Sequence, residues 1–213
     1  MINLIILINY IYMDKNTKKN DKDLSTHNSW FNETSTSIFE LGLVQVYTGN
    51  GKGKTTAAIG QALRAGGHNL KSVIIQFLKG GSYTGEFKIQ EKLQPYFKIY
   101  QFGNPYFINR NCIPDEDLES NRNGFKLALE IATQQNDIHI LVLDEINVAV
   151  SIGIIKIDEV LNLIKNKRKD IELILTGRYA SQEIIDAADL VTEMKEIKHY
   201  YNNNVTSRFG IEK

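Results

Sequence analysis

A short apolar run, Leu43 to Tyr47, leads into Thr48-Gly49-Asn50-Gly51-Lys52-Gly53-Lys54-Thr55-Thr56, and a helix-forming stretch follows from Thr55 to Ala65. Glycines at alternate positions let successive backbone N–H groups turn toward one anion, where side chains with a Cβ would obstruct them. The helix behind them aims its positive end and its unpaired N–H groups at the same place. Lys54 adds a mobile cation for phosphate oxygens, and Thr55 offers a hydroxyl to a magnesium ion. One position departs from the usual pattern: the glycine expected five residues before the final Gly-Lys is Thr48. An ordinary glycine-rich turn is the plainer reading. Strand, loop, Gly-Lys-Thr-Thr and helix in this order favour a nucleoside triphosphate site instead. The loop alone leaves open which bond of the nucleotide breaks.

Beyond the loop, short apolar runs rich in β-formers alternate with helical ones. Strands are predicted at 43–47, 72–77, 97–102, 139–143, 171–176 and 190–193, and helices at 55–65, 86–93, 115–135, 157–169 and 181–187. In the long helix, Leu118, Phe125, Leu129 and Ala132 recur at helical spacing and predict its core stripe. Alternation of this kind predicts an α/β fold with a mostly parallel sheet and helices on both faces. Ligands then gather at the carboxyl ends of the strands.

Length and composition set the frame. A chain of 213 residues, 42% hydrophobic, is expected to form one principal domain, placed at residues 38–213. Lysine plus arginine equal aspartate plus glutamate at 25 each, so no global field draws the chain to nucleic acid or an anionic membrane. The single cysteine, Cys112, excludes an intramolecular disulfide framework and suits the cytoplasm. Residues 1–12 are apolar but too short to span a bilayer and lack a signal peptide's basic start; they read as an upstream extension ahead of Met13. Residues 14–37 read as a flexible polar arm, interrupted by Trp30-Phe31 and leading to Ile38-Phe39.

The remaining chemistry also falls at strand ends. Ile140-Leu141-Val142-Leu143 terminates in Asp144-Glu145, and a carboxylate beside the loop threonine is suited to magnesium. Two solvated helix-starting acids are the alternative, weakened by the phosphate loop upstream. Which of the pair would touch the metal stays open. Arg178, after Thr176-Gly177, is placed to clamp phosphate or stands exposed. Lys79 and Glu86 follow the second strand, where substrate contact and plain exposure are nearly balanced. The aromatic stretch 100–108 is suited to a flat ligand or to sealing the sheet edge, and residue chemistry alone favours sealing. His27, His68 and His139 lack ligand spacing, and His199 sits in a charged stretch that is open to either role.

On these residues the chain resembles the corrinoid adenosyltransferases of cobalamin biosynthesis and salvage. The likeness is carried by Thr48 to Ala58, Gln76-Phe77-Leu78-Lys79-Gly80, Val142 to Ile146, Thr176-Gly177-Arg178, Ala188 to Met194, Lys198-His199 and Gly210-Ile211-Glu212, and it spans 42–213 in order. Threonine in the loop's first place is that family's own variant. The resemblance implies a phosphate-loop, RecA-like fold and transfer of the 5′-deoxyadenosyl group of ATP to a Co(I) corrinoid, with triphosphate released. An ATPase or kinase acting at the γ-phosphate is the alternative. It implies ATP held by Thr48, Gly49, Asn50, Gly51, Lys52, Gly53, Lys54, Thr55 and Thr56, and Mg2+ near Thr55, Asp144 and Glu145. Lys54, Glu145 and Arg178 are the implied catalytic residues. Tyr106 and Phe107 would meet the corrin, although the relatives' Gly-Phe-Thr-Trp pattern is replaced here by Gly103-Asn104-Pro105-Tyr106-Phe107. A homodimer is implied, with Trp30-Phe31 over the partner's site, and a flavoprotein as reductant.

Overall fold

The computed structural model describes residues 41–104 and 112–212. Its strands are β1 (Val44–Thr48), β2 (Ser72–Gln76), β3 (Phe97–Gln101), β4 (Ile140–Asp144), β5 (Glu172–Thr176) and β6 (Leu190–Glu193). Its α-helices are α1 (Lys54–Gly66), α2 (Gly85–Ile89), α3 (Asp115–Gln134), α4 (Ile146–Ser151), α5 (Ile157–Asn166) and α6 (Gln182–Asp186), with 3₁₀ turns at Gln90–Leu93 and Tyr200–Asn203. The strands form one sheet in the order β3-β2-β4-β5-β1-β6, and every pairing is parallel. The expected α/β architecture is therefore observed.

Alternation along each strand divides the core between two faces. Ile74, Ile140, Val142 and Ile174 pack on one face with α1, whose buried Ala58, Ala62 and Ala65 let the helix lie close. Val73, Leu141, Leu143, Leu173 and Leu175 pack on the other, with Phe125, Ala128 and Ile131 of α3 and Val160 and Leu163 of α5. Strand β6 departs from the two-faced burial expected of every strand. All four of its residues are exposed at the sheet edge beyond β1, whereas the opposite edge strand β3 buries Phe97 and Ile99.

Helix α3 is rotated from its predicted stripe. Its buried line runs Asp117, Asn121, Gly124, Phe125, Ala128, Ile131 and Ala132, while Leu118 and Leu129 are only half-buried. Helix α5 stops at Asn166, short of the predicted 169, because Lys167 turns out and its ammonium donates to the carbonyls of Gly42 (2.7 Å) and Ile171 (2.9 Å). The predicted helix 86–93 divides into α2 and the first 3₁₀ turn.

The connections position the site. From β1 the chain passes over two sheet positions, later filled by β4 and β5, before it lays down β2. Because all strands are parallel, the loop after β1 and the ends of β2, β4 and β5 open at one edge of the sheet.

Candidate active site

A cavity of about 570 Å³ opens at that edge. Its wall contains Asn50, Gly51, Lys52, Gly53, Lys54, Thr55 and Thr56 from the loop and the start of α1. Lys79, Glu86, Glu145 and Arg178 enter from the ends of β2, β4 and β5, and His199 and Glu212 from the C-terminal segment. Thr48 and Gly49 lie behind this wall. The Thr48 hydroxyl accepts from Ala180 N–H at 3.3 Å, and the Thr48 carbonyl accepts from Met194 N–H at 2.8 Å.

The loop's backbone differs from the expected cradle at one point. Gly51 N–H does not face the cavity; it donates to Met194 O at 2.6 Å. The chain leaving β6 runs directly behind the loop, so a Cβ on Gly51 would stand 2.7 Å from that same carbonyl oxygen. This glycine is required by the segment that follows β6. Lys54 is buried, and its ammonium donates to Gly49 O (2.8 Å) and Gly51 O (2.7 Å) across the loop. Desolvation lowers its pKa, with the Arg178 charge adding to that, against the opposing pull of Glu145 and Asp144. Helix α1 begins at Lys54 with no side-chain cap, leaving its N-terminal dipole end at the cavity.

Asp144 is the centre of the polar network. It is completely buried, and its Oδ1 accepts from Thr55 Oγ1 (2.8 Å) and Thr176 Oγ1 (2.6 Å). Its Oδ2 accepts from Lys79 Nζ (2.6 Å) and Gln76 Nε2 (3.1 Å). Burial alone would raise this carboxyl, but Lys79 and the two threonine hydroxyls outweigh it and hold Asp144 below the usual carboxylate range. Glu145 differs from its neighbour. Its backbone is left-handed, at φ 64°, and burial, then the Asp144 charge, raise its carboxyl. The two acids thus divide: Asp144 joins the loop threonine, and Glu145 faces the cavity. Arg178 is exposed at the cavity wall, and its charge is felt by both Lys54 and Glu145.

Three residues take roles that the sequence reading did not assign. Gln76 closes β2 opposite Asp144, and its amide also donates to Glu86 Oε1 at 3.1 Å. Gln101, its register partner on β3, donates to Gln76 Oε1 at 2.9 Å and extends the row. Thr176 accepts Glu145 N–H at 3.1 Å while donating to Asp144. A polar residue ending an apolar run is the signal that marks Gln76 and Thr176, as it marked Asp144, whereas Gln101 ends a strand that already carries the exposed Lys98. Lys79 and Glu86, left open by the sequence, are both drawn into the site. Of the aromatic stretch, Phe102 packs on the core cluster while Tyr100 is exposed. Tyr106, Phe107, Trp30 and Phe31 lie outside the described residues.

The sheet, with a cavity where its strand ends meet a glycine-rich loop, defines a parallel α/β protein. The sequence profile of ATP:corrinoid adenosyltransferase BtuR/CobO/CobP matches residues 40–212, which include the whole cavity wall. A corrinoid adenosyltransferase of Pseudomonas aeruginosa is 32% identical over 173 residues, covering 81% of this chain and 84% of that protein. One from Sinorhizobium sp. is 33% identical over 180 residues (84% and 83%), and one from Escherichia coli K12 is 31% identical over 173 residues (81% and 86%). The chain belongs to the ATP:corrinoid adenosyltransferase family. It is therefore placed among alkyl-transferring enzymes whose family name gives ATP and a corrinoid as substrates. No helix among the described residues is long and apolar enough to cross a membrane.

Proposed function

We propose that this enzyme transfers the 5′-deoxyadenosyl group of ATP to the Co(I) centre of a corrinoid and releases triphosphate. The observation that carries the reading is the family match across residues 40–212. The cobalt electron pair forms the Co–C5′ bond as the C5′–O bond breaks, and the bonding pair of that C–O bond leaves with the triphosphate. The corrinoid supplies the electrons, so no protein nucleophile is needed. A flavoprotein is the proposed source of the reduced cobalt.

The chain's own residues then have distinct tasks. Lys54 exchanges the loop carbonyls of Gly49 and Gly51 for phosphate oxygens, and the N-terminus of α1 faces the same charge. Asn50, Lys52, Gly53 and Thr56 line the phosphate end, with Thr48 and Gly49 shaping the turn from behind. Arg178 clamps the departing triphosphate from the end of β5.

A hard divalent cation fits Thr55 and Asp144, which offer a hydroxyl and a carboxylate oxygen 2.8 Å apart. No group of three or more His, Cys, Asp or Glu stands together as a metal cage among the described residues. Phosphate and water would fill the rest of the shell, as magnesium prefers, with Glu145 at the cavity side holding a water. Magnesium, when bound, neutralises charge on the leaving triphosphate.

The same proposal takes residues 1–37 as an arm and 38–213 as the catalytic domain of a cytoplasmic homodimer, with Tyr106 and Phe107 at the corrin. Cys112, a free and exposed thiol, suits that reducing compartment. The test is the product. With ATP, Mg2+ and chemically reduced cobalamin, the enzyme is expected to yield a light-sensitive alkylcobalamin spectrum and inorganic triphosphate. ADP with orthophosphate would instead make it an ATPase or kinase.

A further inference from the structure

We propose that Lys79 is a resident counter-ion of the metal position, holding it in the nucleotide-free protein and yielding it to a divalent cation that arrives with the triphosphate. The inference rests on reading Thr55 and Asp144 as that position.

A carboxylate with no solvent exposure needs a compensating charge, because an isolated buried ion is strongly destabilised. For Asp144 that charge is Lys79, the only cation within ion-pair distance of it among the described residues, at 2.6 Å. The same ammonium stands 3.4 Å from Thr55 Oγ1. It therefore sits against both oxygens that would hold a divalent ion. Two cations cannot occupy one vertex, so metal entry must move the ammonium.

The backbone limits how that happens. Lys79 N–H is bonded to Phe102 O at 2.9 Å, and the preceding Leu78 N–H to Asn121 Oδ1 at 2.9 Å. The main chain is tied to two neighbouring segments, so the ammonium can leave only by rotation of the lysine stem toward the cavity, whose wall Lys79 already forms. A bare metal ion would have to expel the ammonium and bring it no partner beyond Glu145 and Glu86, whose charges it already feels. A metal–triphosphate complex brings phosphate oxygens to receive it. The structure thus favours loading of the cation together with nucleotide, and it disfavours the cation alone.

The test is Mn2+ binding to the full-length protein, followed by the electron paramagnetic resonance signal of free Mn2+, with and without ATP. Wild type should bind Mn2+ alone weakly. Lys79→Met and Lys79→Gln leave Asp144 uncompensated and should bind Mn2+ alone more tightly, by on the order of tenfold or more. That advantage should vanish when ATP is present. A merely structural lysine would give the opposite, since a loosened site binds metal less well. Equal or weaker Mn2+ binding by both folded variants without nucleotide overturns the proposal, provided that Mn2+–ATP binding still depends on Asp144. If Asp144→Asn and Thr55→Ala leave Mn2+–ATP binding unchanged, the metal position itself is wrong and the proposal falls with it.

Discussion

Thr176 Oγ1 donates to Asp144 Oδ1 at 2.6 Å, deep in the sheet, and the same oxygen accepts the backbone N–H of Glu145 at 3.1 Å. One hydroxyl on β5 thereby fixes the side chain of one acid and the main chain of the next, at the point where β4 breaks into a left-handed residue. Thr176→Val keeps the shape and removes both bonds. It should destabilise the protein by about 1–3 kcal/mol, the penalty for buried polar groups left unpaired, and weaken Mn2+–ATP binding. Thr176→Ser should restore both. Urea denaturation and nucleotide titration check this, and an unaltered Thr176→Val protein would refute it.

Glu145 carries a cost that its removal should reveal. Burial and Asp144 raise its carboxyl above the unfolded value of 4.5. A carboxylic acid raised on folding loses stability as pH climbs, because the unfolded chain ionises first. Glu145→Gln should therefore melt higher than wild type near pH 8, with the difference shrinking as pH falls toward 4.5. Adenosyltransfer should fall in the same variant. Thermal unfolding of the nucleotide-free proteins across pH reads the first effect and product formation the second. A lower melting temperature for Glu145→Gln at pH 8 would count against the account.

Asp144 and Lys79 run in the other sense. Asp144 is held below its unfolded 3.8, so its contribution is present above that value and is lost as pH falls through the lower folded one. Lys79 is subject first to burial, which lowers it, but Asp144 and Glu145 outweigh this and raise it above 10.5. Its contribution is present below 10.5 and lost as pH climbs through the higher folded value. Wild type should thus show an acid-side loss that Asp144→Asn lacks and an alkaline-side loss that Lys79→Met lacks. Urea midpoints measured across pH without nucleotide separate the two arms.

Lys54 joins two loop carbonyls, and in the proposed reaction it exchanges them for phosphate. Two charge-assisted hydrogen bonds of about 1.5–3 kcal/mol each make a loss of about a hundredfold or more in ATP affinity the expectation for Lys54→Ala. Calorimetric titration with ATP and Mg2+ is the measurement, and a change of less than about threefold would contradict the phosphate role.

Much of this arrangement could be read from local pattern. Strand ends fell within a residue or two of expectation because apolar β-branched runs stop where polar residues begin, and Asp144 stood out as an acid ending such a run. Contacts between distant segments gave no such signal. Gly51 N–H is turned away from the cavity by Met194, which lies beside it only once β6 pairs with β1. Lys79 looked like any loop lysine until β4 placed a buried carboxylate 2.6 Å from it. Helix α4, Ile-Asn-Val-Ala-Val-Ser, has strand-like composition, and its burial of Ile146, Asn147 and Ala149 is a tertiary outcome. Tyr106 and Phe107 rest on resemblance alone.

Gly80 ties the loop after β2 to the loop after β3 by direct contact. A Cβ built on Gly80 would stand 1.5 Å from Gly103 O, so no side-chain adjustment can admit it and one loop must move. Lys79 N–H already holds Phe102 O across the same junction at 2.9 Å. Gly80→Ala should therefore cost about 1–3 kcal/mol as an overpacked site and also shift Lys79 away from Asp144. The second effect predicts that Gly80→Ala, like Lys79→Met, gains affinity for Mn2+ in the absence of nucleotide. Gly60→Ala serves as the control, since its Cβ meets nothing within 4 Å on an exposed turn of α1. It should be neutral or stabilise by about 0.5–1 kcal/mol through helix propensity and leave metal binding unchanged. Equal stability of the two variants would show that the loops are not locked together at Gly80.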